Sequence, residues 1–168
     1  MPPYDSEPLD HSLEFHELHY QLNLVQRWGV NQVPVAAPGG NGNFGETMAN
    51  DWDLEDPCKN GKIVGHAKGL HIRSSRGAGG HHHASFDIIF EQGSGLEGST
   101  LQVMGPNGAE WSIVGGTGKL TMARGVIYRK YGVVDGGAKV KLQIHAFYIP
   151  MKRPNNHGPS SGNNVWRW

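Results

Sequence analysis

Lys139-Val140-Lys141-Leu142-Gln143-Ile144-His145-Ala146-Phe147-Tyr148 is the stretch that decides the fold class. Val140, Leu142, Ile144, Ala146 and Tyr148 fall on one side of an extended chain. Lys139, Lys141, Gln143, His145 and Phe147 fall on the other. Only a strand sends alternate residues to opposite faces, so this stretch reads as a strand with one face in a core.

The same period recurs toward the N-terminus. Leu18, Tyr20, Leu22 and Leu24 alternate with His19, Gln21 and Asn23. Val33 and Val35 mark a second short strand. Further strands are expected over Phe44 to Leu54, Ile63 to Ile72, Ala84 to Phe90, Ser99 to Met104, Trp111 to Val114 and Leu120 to Tyr131. The last of these is bent at Gly125. Gly115-Gly116-Thr117-Gly118 reads as a turn that needs a positive φ at Gly116, and Arg76 to His82 as a glycine-rich loop. No helical period is sustained. About eight or nine strands with turn signals between them imply an all-β fold. A closed antiparallel barrel of eight strands leaves no exposed edge, and a sandwich is the alternative. Three regions follow: an N-terminal arm over 1–12, a barrel domain over 13–150, and a C-terminal tail over 151–168.

Composition agrees with many tight turns. Glycine is 25 of 168 residues, about twice the usual ~7%. Fifteen basic and fifteen acidic side chains cancel, so no net field draws the chain to nucleic acid or an anionic membrane. No apolar run approaches the ~20 residues of a membrane span. The first residues carry no secretory signal pattern, and Cys58 is the only cysteine. A cytoplasmic location is the expectation from these features.

Several motifs invite chemistry and decline it. Gly40-Asn41-Gly42-Asn43-Phe44-Gly45 matches G-x-G-x-x-G, but a strand follows where a dinucleotide site needs a helix. His81-His82-His83 would point to alternating sides of a strand and cannot chelate together easily. Cys58 has no base and no family signature around it. Asp51 and Asp53 share a strand face, which more often means a solvated face than a carboxylate pair for hydrolysis. No metal, cofactor or catalytic residue is expected.

Four segments together resemble the plant dirigent family. Asn50-Asp51-Trp52-Asp53-Leu54 resembles its acidic third-strand motif. Ile63-Val64-Gly65-His66-Ala67-Lys68-Gly69-Leu70-His71-Ile72 resembles its "VGRAQGLY" strand. Gly95 to Gly105 resembles its "GSTLxVxG" strand, and Ser112 to Gly125 its "SVVGGTGKFRxARG" hairpin. The resemblance implies an eight-stranded antiparallel barrel, usually a homotrimer, with a pocket at one end and no oxidising centre. Family members orient phenoxy radicals made by laccases or peroxidases so that one lignan stereoisomer forms. Others steer ring closure of a quinone methide. A difference of ~1.4 kcal/mol between two poses already gives tenfold bias, so orientation alone suffices.

On that resemblance the pocket is substituted. The first-strand Asp of coupling members falls at Gln26. Aromatic positions become His71 and Arg73, a second pocket Asp becomes Asn107, and a pocket Arg falls near Ala109. The Arg of "GRAQG" becomes His66. Asp51 stays acidic, and Arg124 is kept in a structural role. The candidate ligand residues are therefore Gln26, Asp51, Trp52, His66, His71, Arg73 and Asn107. Phe15-His16-Glu17-Leu18-His19-Tyr20 and Asn50-Asp51-Trp52 resemble the dirigent domain of monocot chimeric jacalin lectins. That likeness, with polar replacements around Trp52, implies a non-catalytic, defence-related module that binds an oligosaccharide. The alternatives are a phenolic ligand in stereoselective coupling, with secretion to the apoplast, and a ligand-free scaffold. A homo-oligomer, dimer or trimer, is the expected assembly.

Overall fold

The structure, a computed structural model, describes residues 14–38, 43–76, 80–108, 110–134 and 136–150. Nine strands are present: β1 (His16–Arg27), β2 (Gln32–Ala36), β3 (Thr47–Asp56), β4 (Lys62–Arg73), β5 (His82–Phe90), β6 (Thr100–Pro106), β7 (Glu110–Thr117), β8 (Arg124–Val134) and β9 (Gly137–Tyr148). Consecutive strands from β3 to β9 pair antiparallel. β1 then pairs with β9 along its whole length, from His16 opposite Tyr148 to Arg27 opposite Gly137. It also meets β3 at Asn23, Leu24 and Val25, opposite Glu55, Leu54 and Asp53. That pairing closes an eight-stranded barrel and removes the exposed edges of the sheet. β2 takes the remainder of the β3 edge, with Gln32 opposite Asn50. Thus β1 and β2 share one edge of β3, and where they part the barrel opens into a mouth.

Alternation fills the interior. Val140, Leu142, Ile144 and Ala146 of β9 are buried, as the sequence pattern required. Phe86, Ile88 and Phe90 of β5 and Leu22, Leu24, Leu54 and Ile127 meet them in one cluster. Each such side chain contributes about 1.5–3 kcal/mol by leaving water. The end away from the mouth is sealed by a polar knot. Tyr20 Oη donates to Asp56 Oδ2 at 3.3 Å and lies 3.2 Å from the Ser94 carbonyl. Asp56 also takes the Cys58 amide at 2.9 Å and the Lys59 ammonium at 3.1 Å. Burial alone would raise the Asp56 pKa, but these donors hold it below the usual carboxylate value.

Three sequence expectations change. The third strand begins at Thr47 rather than Phe44, because Asn43 and Gly45 hold left-handed backbone at φ 56 and 87. The eighth begins at Arg124 rather than Leu120. Gly118–Leu120 forms a 3-10 turn that drops Leu120 into the core, and Met122 follows at φ 62. Gly115, Gly116 and Thr117 are strand, not turn, and Gly116 has no positive φ. A bulge explains this. The register slips between Gln102 and Val103 of β6, leaving Val114 as the extra residue of β7. Gly116 is needed for another reason: a Cβ there would stand 2.8 Å from Ala123 Cβ and overlap the Leu120 carbonyl. The arm over 1–12, the tail over 151–168 and residues 40–42 of the glycine motif lie outside the described residues.

Candidate functional site

At the mouth the inward rows of several strands run past the core into a cavity of about 280 Å³. That is near the lower edge of the ~300–1,000 Å³ usual for small-ligand pockets. Each row supplies its next inward residue. β1 gives Gln26 beyond Leu24, and β3 gives Trp52. β4 gives His71 beyond Gly69, β5 gives His82 and Ala84, and β7 gives Trp111 before Ile113. β8 gives Tyr131 beyond Ile127 and Arg129, and β9 gives Ala138. The β1–β2 turn adds Trp28, the start of β2 adds Gln32, and the β6–β7 turn adds Asn107.

Aromatic planes build one wall. The Trp52 and Trp111 rings lie within 10° of parallel with centroids 6.5 Å apart. His71 stacks on Trp52 at 5.7 Å, and Phe86 props both indoles edge-on. On the far side the Arg129 guanidinium lies 3.7 Å over the Trp111 ring. A tier of His71, Trp52, Trp111 and Arg129 therefore crosses the barrel. Such a surface suits a planar aromatic ligand.

Polar groups at the mouth are fixed in orientation. Trp52 Nε1 donates to Gln32 Oε1 at 2.9 Å, and both residues are buried. Asn50 donates to the Ala67 carbonyl at 3.4 Å, which turns Asn50 Oδ1 toward His71 Nδ1, also 3.4 Å away. Nδ1 of His71 then carries the proton and Nε2 is the basic atom. His82 Nδ1 lies 2.9 Å from the Gly80 carbonyl, with the same consequence. The two imidazoles meet edge to face at 5.9 Å. Burial lowers the His71 pKa, His82 lowers it further, and Glu46 opposes. His71 is therefore a neutral base at pH 7.

Of the seven candidates from sequence, Gln26, Trp52, His71 and Asn107 come together in the cavity. Asp51, His66 and Arg73 do not line it. Asp51 is the neighbour of Trp52 on one strand, so the two cannot face the same way. Its carboxylate lies outside the barrel, 2.9 Å from His66 Nδ1 and 3.4 Å from Lys68 Nζ. His66 stands on that outer face, 3.7 Å from Asp53 and 3.8 Å from Glu91. Arg73 ends β4 beyond the rim, partly buried. Sequence reasoning missed Trp28, Gln32, His82, Trp111 and Tyr131. For His82, Trp111 and Tyr131 the signal was the same alternation, carried one or two residues past the core. Among the described residues no three His, Cys, Asp or Glu side chains converge in metal-ligating geometry.

The fold is thus a closed antiparallel barrel with an aromatic-walled cavity at one mouth. Residues 16–147 match the family described as Dirigent-like protein. The chain is 31% identical over 150 residues to pterocarpan synthase 1 of Glycyrrhiza echinata, covering 80% of this chain and 79% of that protein. The solved pterocarpan synthase dirigent protein GePTS1 superposes with a TM-score of 0.68 at 30% identity, over 84% of this chain and 89% of that one. PsPTS1, another pterocarpan synthase dirigent protein, gives 0.63 at 29% identity, over 83% and 97%. A pyocyanin demethylase shares the fold alone, with a TM-score of 0.53 at 16% identity over 74% and 98%. The chain belongs to the dirigent family. The named relatives at 29–31% identity are pterocarpan synthase proteins, and the jacalin-lectin likeness of Phe15 to Tyr20 and Asn50 to Trp52 finds no counterpart among them.

Proposed function

We propose that this protein binds a reactive phenolic intermediate in the mouth cavity and fixes the face on which it reacts. The carrying observation is the aromatic tier beside two imidazoles. The expected sugar ligand is set aside for the same reason. The walls are mainly indole and imidazole faces, with few side-chain oxygens free to accept from hydroxyls. The stacking surface that seemed lost in sequence is supplied by Trp111 with Trp52.

Ring closure is the favoured chemistry within this reading. Closing an oxygen heterocycle on a quinone methide requires one phenol to lose its proton as its oxygen attacks carbon. His71 Nε2 and His82 Nε2 are bases suited to receive that proton, in place of the carboxylates absent from the cavity lining. The three named relatives at 29–31% identity are pterocarpan synthase proteins, which supports the same choice. Radical coupling is the second reading, supported by family membership, and needs orientation only.

The test is product stereochemistry by chiral chromatography. The protein is added to an isoflavanol that closes through a quinone methide, and separately to coniferyl alcohol with a laccase. Enantiomeric excess in the first reaction supports ring closure, and excess only in the second supports coupling. Racemic product in both, with no quenching of tryptophan fluorescence by either phenol, refutes the phenolic reading.

A further inference from the structure

The donors and acceptors at the mouth do not balance. Gln32 Oε1 is taken by Trp52 Nε1 at 2.9 Å. Asn107 Oδ1 is taken twice, by Tyr131 Oη at 2.8 Å and Arg129 Nη2 at 3.2 Å. Both amides therefore spend their oxygens on the protein. Gln32 Nε2 and Asn107 Nδ2 have no partner among the described residues; Gln32 is buried, Asn107 is exposed at the rim, and both residues line the cavity. Behind them lies a buried cation. Arg129 is 9% exposed. Its contacts are the Trp111 face, Tyr131 Oη at 3.0 Å, Asn107 Oδ1 and the Gly108 carbonyl, all of them neutral. No carboxylate among the described residues pairs with it, and its Nε has no hydrogen-bond partner. Trp111 Nε1, buried beside it, is also an unpaired donor. No Asp or Glu lines the cavity. A buried charge of one sign is costly until an opposite charge arrives.

We infer that the cavity takes an aromatic anion, with its ring on the Trp52–Trp111 wall and an ionised oxygen, carboxylate or phenolate, against Gln32 Nε2 and Asn107 Nδ2. This rests on the phenolic reading above and narrows its ligand class. An ionised oxygen accepts and never donates, which is what two leftover amide donors require. The Arg129 charge acts on it through the amide and phenol that separate them, at a rim open enough for salt to screen part of the attraction. At these two amides a neutral phenol or sugar hydroxyl would bring a donor where both oxygens are already used.

Tryptophan fluorescence titrations at pH 7 test this on the whole chain with matched probes. Ferulic acid is ionised at its carboxylate, and its methyl ester keeps the ring and phenol without the charge. For phenolate, 4-nitrophenol is compared with 4-nitroanisole in a separate titration at about pH 8.5, where the phenol is ionised. The anion of at least one pair should bind at least tenfold tighter than its neutral partner, and the advantage should shrink as salt rises. Asn107→Asp keeps the shape, gives Arg129 a carboxylate, and should bring the ratio of anion to neutral affinity down to about one, whatever happens to the absolute affinities. Equal or weaker binding of both anions overturns the inference and leaves the phenolic reading standing. Retention of the preference in Asn107→Asp also overturns it. If no aromatic probe of either charge binds, the phenolic reading fails and takes this inference with it.

Discussion

Replacing Gly116 by alanine should destabilise the barrel far more than the same change at Gly115. The two glycines are adjacent in β7, just after the bulge at Val114. At Gly116 an added Cβ would overlap the Leu120 carbonyl and stand 2.8 Å from Ala123 Cβ, inside the 3.0 Å that real Cβ atoms respect. Both obstacles are held by the 3-10 turn that carries Leu120 into the core. Relief requires that turn to move and Leu120 to withdraw. Overpacking of this kind costs about 1–3 kcal/mol, and backbone obstacles place Gly116 at the upper end. At Gly115 the nearest atom is Gln102 Oε1 at 2.7 Å, the far end of a flexible side chain. Turning it away gives up its 2.8 Å hydrogen bond to Thr100 and about 1 kcal/mol. At roughly 3 °C per kcal/mol for a domain of this size, Gly116→Ala should lower Tm by about 6–9 °C and Gly115→Ala by about 3 °C. Thermal unfolding followed by near-ultraviolet circular dichroism measures both. Equal shifts, or a Gly116→Ala protein melting with the parent, would refute the close-approach argument.

Three further outcomes follow from the same geometry. Tyr20 is pushed from its ordinary 10.0 to about 12, by burial first and then by the Asp56 charge. A raised folded pKa means its stabilisation is intact below pH 10 and is lost between pH 10 and about 12. Urea denaturation across that range should show the loss, and Tyr20→Phe should flatten it. Because burial and His82 lower the His71 pKa below its ordinary 6.5, ring-closing activity should hold level as pH falls to 6.5 and decline only below it. His71→Asn should slow the reaction by about 10²-fold, as loss of a general base does; a decline beginning above pH 7 would count against His71. Asp51→Asn, outside the barrel, should leave aromatic ligand affinity within about twofold by fluorescence titration, since an exposed pair with Lys68 is worth little.

The strands were legible because burial imposes the period of two, and β9 showed it without interruption. Boundaries were less legible where glycine and asparagine do different jobs with the same letters. Gly45 breaks the chain with a left-handed φ, whereas Gly116 sits in extended backbone and makes room for a neighbour. No single sequence separates these uses, because the second depends on a strand-to-turn contact. The site was half legible. Gln26, Trp52, His71 and Asn107 were found through family positions, but Asp51 was carried along with Trp52 although one strand cannot aim both inward. Trp111 and Tyr131 lay in plain alternation with Ile113 and Ile127. They escaped because the bulge at Val114 and the length of β8 hid where the core stops and the mouth begins.

The two ends of the barrel handle buried charge in opposite ways. At the closed end Asp56 has the Lys59 ammonium, the Cys58 amide and the Tyr20 phenol, and its carboxylate is held ionised by them. At the mouth Arg129 is also buried, though less deeply, and receives only neutral acceptors and an indole face. A carboxylate at position 107, one amide-to-acid change away and already within 3.2 Å of the guanidinium, would supply the missing charge. Packing and stability alone would favour that arrangement at both ends. The mouth instead keeps an amide whose oxygen is spent and whose nitrogen has no partner among the described residues. Its charge is left incomplete at the one end of the barrel that is open to an incoming molecule.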